Sequence, residues 1–146
     1  MRHHLILRIA AKFLIPPIML FAMYVQFHGD YGPGGGFQAG VIFAASLVLY
    51  GLVFGLSELR RVAPLNILAT LMALGWIFYI GVGFAGLALG GTFLDYNVLA
   101  GDAKAGQHLG ILLIELGVGV TVASAMLVFF HCFAGRARSE PSDEEW

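Results

Sequence analysis

Leu109-Gly-Ile-Leu-Leu-Ile-Glu-Leu-Gly-Val-Gly-Val-Thr-Val-Ala-Ser-Ala-Met-Leu-Val-Phe-Phe-His-Cys-Phe133 carries one acid, Glu115, in a run that apart from His131 near its end is otherwise apolar or of small residues. Roughly 20 predominantly apolar residues suffice for a helix to cross about 30 Å of hydrocarbon, and this stretch is long enough. A membrane strand would need polar alternation with turn residues about every ten positions, which is absent. Lipid cannot hydrogen-bond exposed backbone, so an uninterrupted apolar run of this length is helical. Three similar stretches precede it, over about 5–27, 36–56 and 67–89. The reading is therefore an all-α integral membrane protein with four transmembrane helices (about 5–27, 36–56, 67–89 and 109–133). One membrane domain is expected over 1–135, with an acidic solvated tail over 136–146.

Composition agrees. Of the 146 residues 59% are hydrophobic and 12% charged, and mean hydropathy is +0.84. A soluble domain carries about a quarter charged residues, so an ordinary soluble enzyme is excluded. A disordered chain would be poor in apolar residues and rich in charge. The net charge of −1 supplies no basic footprint for nucleic acid. Cys132 has no second cysteine to pair with, and no Cys/His spacing suits a metal. No metal or cofactor site is expected.

The first segment contains Arg8 and Lys12 near its start and Pro16-Pro17 within it. Its purely apolar part, from Phe13 to Phe27, would reach only about 22 Å as helix. Arg8 and Lys12 share a face and can snorkel to one membrane surface, while the prolines remove two donors and kink or loosen the helix. A basic start followed by an apolar run also suits a signal peptide. Phe27-His28-Gly29 is a poor cleavage site, however, so the segment is expected to remain as a helix. With four spans, Arg2, Arg8, Lys12, Arg60, Arg61, Arg136 and Arg138 fall on one side and Lys104 on the other. Lysine and arginine concentrate on the cytoplasmic side, which predicts cytoplasmic termini.

Small residues form stripes. Gly36, Gly40, Ala44, Gly51 and Gly55 fall within about 100° of one another on the second helix, and Gly75, Gly83, Gly86 and Gly90 within about 80° on the third. Gly110, Gly117, Thr121 and Ser124 fall within about 60° on the fourth. Membrane helices associate through such residues because lipid tails are as apolar as leucine. The stripes fit either internal packing of a four-helix domain or docking of helices from other subunits. So few helices cannot enclose a transport path alone, which favours partners.

Glu115 is the one acid deep in an apolar segment. Such a group is costly in lipid, usually faces protein or a hydrated cavity, and marks an ion or proton route. His108 lies two turns earlier on the same face. Both point away from the centre of the fourth helix's stripe, so if the stripe packs internally the acid is expected to face a partner subunit. A purely structural, hydrogen-bonded glutamic acid is the alternative. His28 and His131, at helix ends, read as interfacial, and haem ligation would need histidines facing each other at matched depth.

Between the first two helices runs His28-Gly29-Asp30-Tyr31-Gly32-Pro33-Gly34-Gly35-Gly36-Phe37-Gln38-Ala39-Gly40. Gly34–Ala39 matches the dinucleotide pattern, but no strand precedes it, so that function is excluded. Pro33 fixes one dihedral and the glycines permit positive φ and close backbone approach, which suits a tight re-entry. The motif His-Gly-x-x-x-Pro-Gly-Gly-Gly-Phe-x-x-Gly resembles that of the MnhB family, the B subunits of the Mrp-type multisubunit cation/proton antiporters. The similarity extends over the proline-containing first helix, Gly40–Gly55, and the final helix, where an acid precedes Gly117-Val118. Asp30 stands where the family often has a second histidine, and Glu115 where aspartate is more usual.

The resemblance implies an accessory membrane subunit of a Na⁺(Li⁺/K⁺)/H⁺ antiporter, needed for assembly with other membrane subunits in a bacterial or archaeal cell membrane. It implies a component of a secondary transporter rather than an enzyme, with Na⁺ and H⁺ as transported ions. His28, Gly29, Pro33, Gly34, Gly35, Gly36, Phe37 and Gly40 are the motif positions, with a structural or interface role. Glu115 is the matched acid, which together with His108 makes the candidate ion or proton path. Similar subunits also occur in membrane-bound hydrogenases and related redox complexes. A third reading is a stand-alone haem- or quinone-binding membrane protein.

Overall fold

The computed structural model describes residues 5–29 and 32–136. Helices α1 (Leu5–Phe27), α2 (Gly36–Phe54), α3 (Leu56–Val62), α4 (Leu65–Ala88) and α5 (Ala103–Arg136) follow in order, with a 3₁₀ turn at Tyr96–Leu99 before α5; no strand occurs among the described residues. Helices α1, α2, α4 and α5 are each long and apolar enough to cross a membrane. Arg2, Arg138, Asp30 and the tail beyond Arg136 lie outside the described residues.

Helix α5 is the hub. It packs along α4 on one side and α2 on the other, while α1 rests mainly on α2. Small residues make each approach possible. Along α2, Gly36 lies against the Glu115 backbone, Gly40 against the Gly119 carbonyl and Gly51 against the Phe130 ring. The offset in residue number between the two helices is the same in every pair, so α2 and α5 run parallel and in step. On the opposite face Gly75 of α4 meets Gly117 and Thr121. Thr121 donates its hydroxyl to the Gly117 carbonyl at 2.8 Å, so the polar group is satisfied inside the interface. The small-residue stripes serve internal packing at these positions. The outer part of the α4 stripe differs: Gly83 receives the Phe93 ring, and Gly86 the backbone of Thr92 and Asp95.

Three boundaries differ from the apolar pattern. Gly55, at φ 105°, ends α2 at Phe54, and its N–H donates to Gly51 O at 2.9 Å. The chain then re-enters as α3, which a hydropathy reading merges with the end of α2. Leu59 of α3 is fully buried with Ala44, Ala63, Leu68 and Leu127 in the inner core, while Arg60 and Arg61 stay outside. Helix α5 begins at Ala103 and is 34 residues long, about 51 Å at helical rise. That exceeds the hydrocarbon thickness, so its polar first turns stand above the apolar stretch. Pro16 and Pro17 lie inside one α1 helix, because a helix in a membrane protein can re-satisfy freed carbonyls locally.

The two ends of the bundle differ in charge. Arg8 lies 5.2 Å from the Phe54 ring centroid, and Arg60 approaches Gly135, so α1, α3 and α5 bring their arginines to one end. At the other end the α4–α5 connection forms a polar cap. Asp95 Oδ1 accepts from the Asn97 N–H at 3.1 Å, and Gln107 Nε2 donates to Asn97 Oδ1 at 3.0 Å. The Tyr96 ring fills the space over Gly110. Burial, then the nearby Tyr79, pushes the Tyr96 phenol above its ordinary value and keeps it neutral.

Candidate functional site

The glycine loop and the deep acid meet. A methyl group on Gly29 would lie 2.5 Å from Glu115 Oε2, and one on Gly35 2.7 Å from Oε1. Gly36 touches the Glu115 backbone so closely that a side chain there would collide with the carbonyl. Three motif glycines therefore form a cradle in which the carboxyl lies directly against backbone. Glu115 is half-buried there. The expectation that Glu115 turns away from its own subunit is corrected. Its face of α5, continued one turn on by Gly119, is the face that packs on α2.

The sequence of the loop explains its shape. Gly34 adopts φ 134°, and a methyl there would also sit 2.8 Å from Val25 Cγ1 of α1, so both conformation and space require glycine. Gly35 is extended and begins α2 as its cap residue, its carbonyl accepting from the Ala39 N–H at 3.0 Å. Pro33 and Phe37 face outward and are exposed. His28 is also exposed, its ring stacked on Tyr24 with centroids 4.8 Å apart, as expected of an interfacial histidine. Gly40 lies one turn below the cradle against Gly119 and locks the helix register that brings Gly36 to Glu115.

His108 sits on α5 two turns, about 10 Å, further out and is half-buried. The cradle thus unites Glu115 with Gly29, Gly35 and Gly36, while His108 stands along the outward approach. His131 departs from the interfacial reading. It is 1% exposed, and its Nδ1–H donates to Leu127 O at 2.7 Å, which leaves Nε2 buried without a partner among the described residues. A second buried polar group went unnoticed in the sequence. Gln26 of α1 is 6% exposed, packs against Gly119 and has an Nε2 unpartnered among the described residues. Its signal was available: a lone amide one turn after Ala22 on a helix face otherwise built from small and aliphatic residues.

A model of the domain related to the MnhB subunit of Na⁺/H⁺ antiporters matches residues 6–128. The chain belongs to the MnhB family. Among its relatives is the B subunit of the Na⁺/H⁺ antiporter of Alkalihalophilus pseudofirmus, 30% identical over 115 residues, which cover 72% of this chain and 79% of that protein. The Bacillus subtilis protein of the same name is 29% identical over 128 residues, covering 81% and 89%. A putative antiporter subunit mnhB2 of Staphylococcus epidermidis is 32% identical over 127 residues, covering 80% and 89%. The matched span of the MnhB model contains the loop, the cradle and Glu115, and ends inside α5.

Proposed function

We propose that this MnhB-family chain is an accessory membrane subunit of a multisubunit Na⁺(Li⁺/K⁺)/H⁺ antiporter, in a bacterial or archaeal cell membrane, with both termini in the cytoplasm. Within it, Glu115 and His108 line a proton or cation route at a boundary with other membrane subunits. The observation that carries this reading is the convergence of the glycine loop on the deep carboxyl. A carboxyl at membrane depth is costly and is kept where it binds or carries an ion. Here three glycines hold backbone against it, where any larger residue would push it aside. The arginines gathered at one end of the bundle support the orientation through the positive-inside preference. The protein is a transporter component and not an enzyme.

The test is Glu115→Gln in the assembled complex, which keeps shape and hydrogen-bonding capacity but removes the titratable group. Na⁺/H⁺ exchange in everted membrane vesicles is expected to fall while the complex still assembles. Unchanged exchange would defeat the path role and leave assembly as the function of the chain. Purification of the chain in mild detergent tests the wider reading. Antiporter subunits are expected with it, whereas an accompanying iron–sulfur module would place it in a redox-coupled complex.

A further inference from the structure

A cavity among the described residues opens one helical turn inward of the cradle. It is a lipid-facing cleft of about 620 Å³, walled by α1 and α2 on one side and α4 on the other, with α5 at its back. It exists because α4 packs along α5 and makes no extended contact with α1 or α2. The back wall runs from Leu116 to Leu127, about 16 Å along the helix, and Ala63 closes the inner end.

Two features distinguish this cleft from a surface that lipid tails simply wet. The first is Gln26, which lines it, is 6% exposed, and has a carboxamide nitrogen without a hydrogen-bond partner among the described residues. A buried donor left unmade is costly, and in lipid no water corrects it. The second is depth. Gln26 abuts Gly119, close to the middle of the apolar 109–133 stretch, where lipid tails offer no acceptor. The occupant must therefore be apolar along its length and carry a polar atom at the level of Gln26, at the outer end of the cleft. The walls at that level are Ala39, Gly40, Gly119 and Ala123, small residues that let a helix backbone approach closely.

We infer that this cleft receives one transmembrane helix of another subunit of the complex, with a hydrogen-bonding group of that helix opposite Gln26. The inference rests on the antiporter-subunit reading and specifies where the assembly is made. A helix about 10 Å across lying in the cleft would separate α1 from α4 and be half-sheathed by this chain, its other side left for the rest of the complex.

Photo-crosslinking in the intact complex tests it. A benzoylphenylalanine in place of Phe43, a half-buried ring in the cleft wall, changes the shape little. The control replaces Phe13, which is 76% exposed on α1 and does not line the cleft. The Phe43 probe is expected to attach to an apolar segment of one membrane subunit, identified by mass spectrometry, at a residue within a turn of a polar side chain. The Phe13 probe is expected not to reach that segment. Gln26→Leu should reduce retention of that subunit in mild detergent by about 3- to 10-fold, in line with one interhelical hydrogen bond. The same change should leave the thermal stability of the isolated chain equal or higher, since it removes an unsatisfied donor. An adduct of lipid or quinone mass at Phe43, or no adduct in a complex that still co-purifies, would overturn the inference. Absence of any co-purifying membrane subunit would overturn the antiporter-subunit reading itself and this inference with it.

Discussion

Replacing Gly35 with alanine separates the structural role of the cradle from its chemical one. Gly35 is extended, at φ −176°, a conformation that alanine adopts without strain. The new methyl would lie 2.7 Å from Glu115 Oε1 and 3.3 Å from Cδ. Both atoms belong to the far end of a flexible side chain. Ordinary contact begins near 3.4 Å, so the oxygen must retreat by 0.7 Å, the difference between 3.4 and 2.7. A glutamate achieves that by torsional adjustment costing about 0.5–1.5 kcal/mol. Gly36→Ala is the matched contrast, because its methyl would press on the Glu115 backbone, which moves only if α2 and α5 part. Overpacking of that kind costs about 1–3 kcal/mol or more. The Gly35→Ala chain should therefore accumulate and assemble almost as the parent does, and Gly36→Ala should not. Exchange should nonetheless fall about tenfold in Gly35→Ala, a modest loss for an ångström-scale displacement of an acting group. The assays are subunit recovery in the purified complex and ΔpH-linked Na⁺/H⁺ exchange in everted vesicles, normalised to complex. Parental exchange in an assembled Gly35→Ala complex would refute a positional role for the carboxyl. Equal loss of assembly in both variants would refute the distinction between side-chain and backbone contact.

Three further outcomes follow from the packing. Gly40→Ala places a methyl 2.6 Å from the Gly119 carbonyl and should lower the melting temperature of the complex, at about 1–3 kcal/mol. Gly81→Ala, with nothing within 4 Å, should be neutral or stabilising by up to about 1 kcal/mol; equal melting temperatures for the pair would contradict the α2–α5 contact. Gly34→Ala combines a φ of 134° with a methyl 2.8 Å from Val25 Cγ1, so about 1–3 kcal/mol of strain should appear as faster proteolysis of the α1–α2 loop than in the parent. For orientation, the exposed native Cys132 is first replaced by serine. An impermeant maleimide should then label Lys104→Cys in intact cells and Arg61→Cys only after permeabilisation, and the reverse pattern would invert the topology.

Much of the fold was legible because membrane helices obey one strong rule, that backbone must be satisfied within the segment. That rule placed α1, α2 and α4 within two residues and the apolar part of α5, and the small-residue periodicity marked the face that α2 turns to α5 and the meeting of Gly75 of α4 with Gly117 and Thr121 of α5. What hydropathy could not register is φ. Gly55 reads as one more small residue in an apolar run, yet its positive-φ backbone ends α2 and sends α3 back so that Leu59 enters the inner core. The polar start of α5 was missed for a related reason, since hydrogen bonds extend a helix beyond the apolar stretch that anchors it. The site was legible in its parts and not in their union. Glu115 stood out by its cost in lipid, and the loop by its glycines. Nothing in the spacing of residues 29–36 and 115 says that they touch, because that contact depends on the parallel register of α2 on α5. Gly36 and Gly40 set that register through contacts with the Glu115 and Gly119 backbones.

That register also explains why one element holds both candidate surfaces. Successive turns of α5 present Glu115 and then Gly119 to the α2 side. The first meets the glycine loop, and the second meets Gly40 and Gln26. The cradle and the outer end of the cleft are thus one helical turn apart on the same backbone, about 5 Å. A helix seated against Gln26 would bear on Gly119 and Gly40, the contacts that hold Gly36 against Glu115. Assembly and carboxyl position are then coupled through rigid backbone with no side chain able to absorb the change. Gln26→Leu should therefore lower exchange per assembled complex as well as retention of the neighbouring subunit. If the complexes that survive Gln26→Leu exchange ions at the parental rate, the cleft contributes to assembly alone and the coupling through Gly119 does not exist.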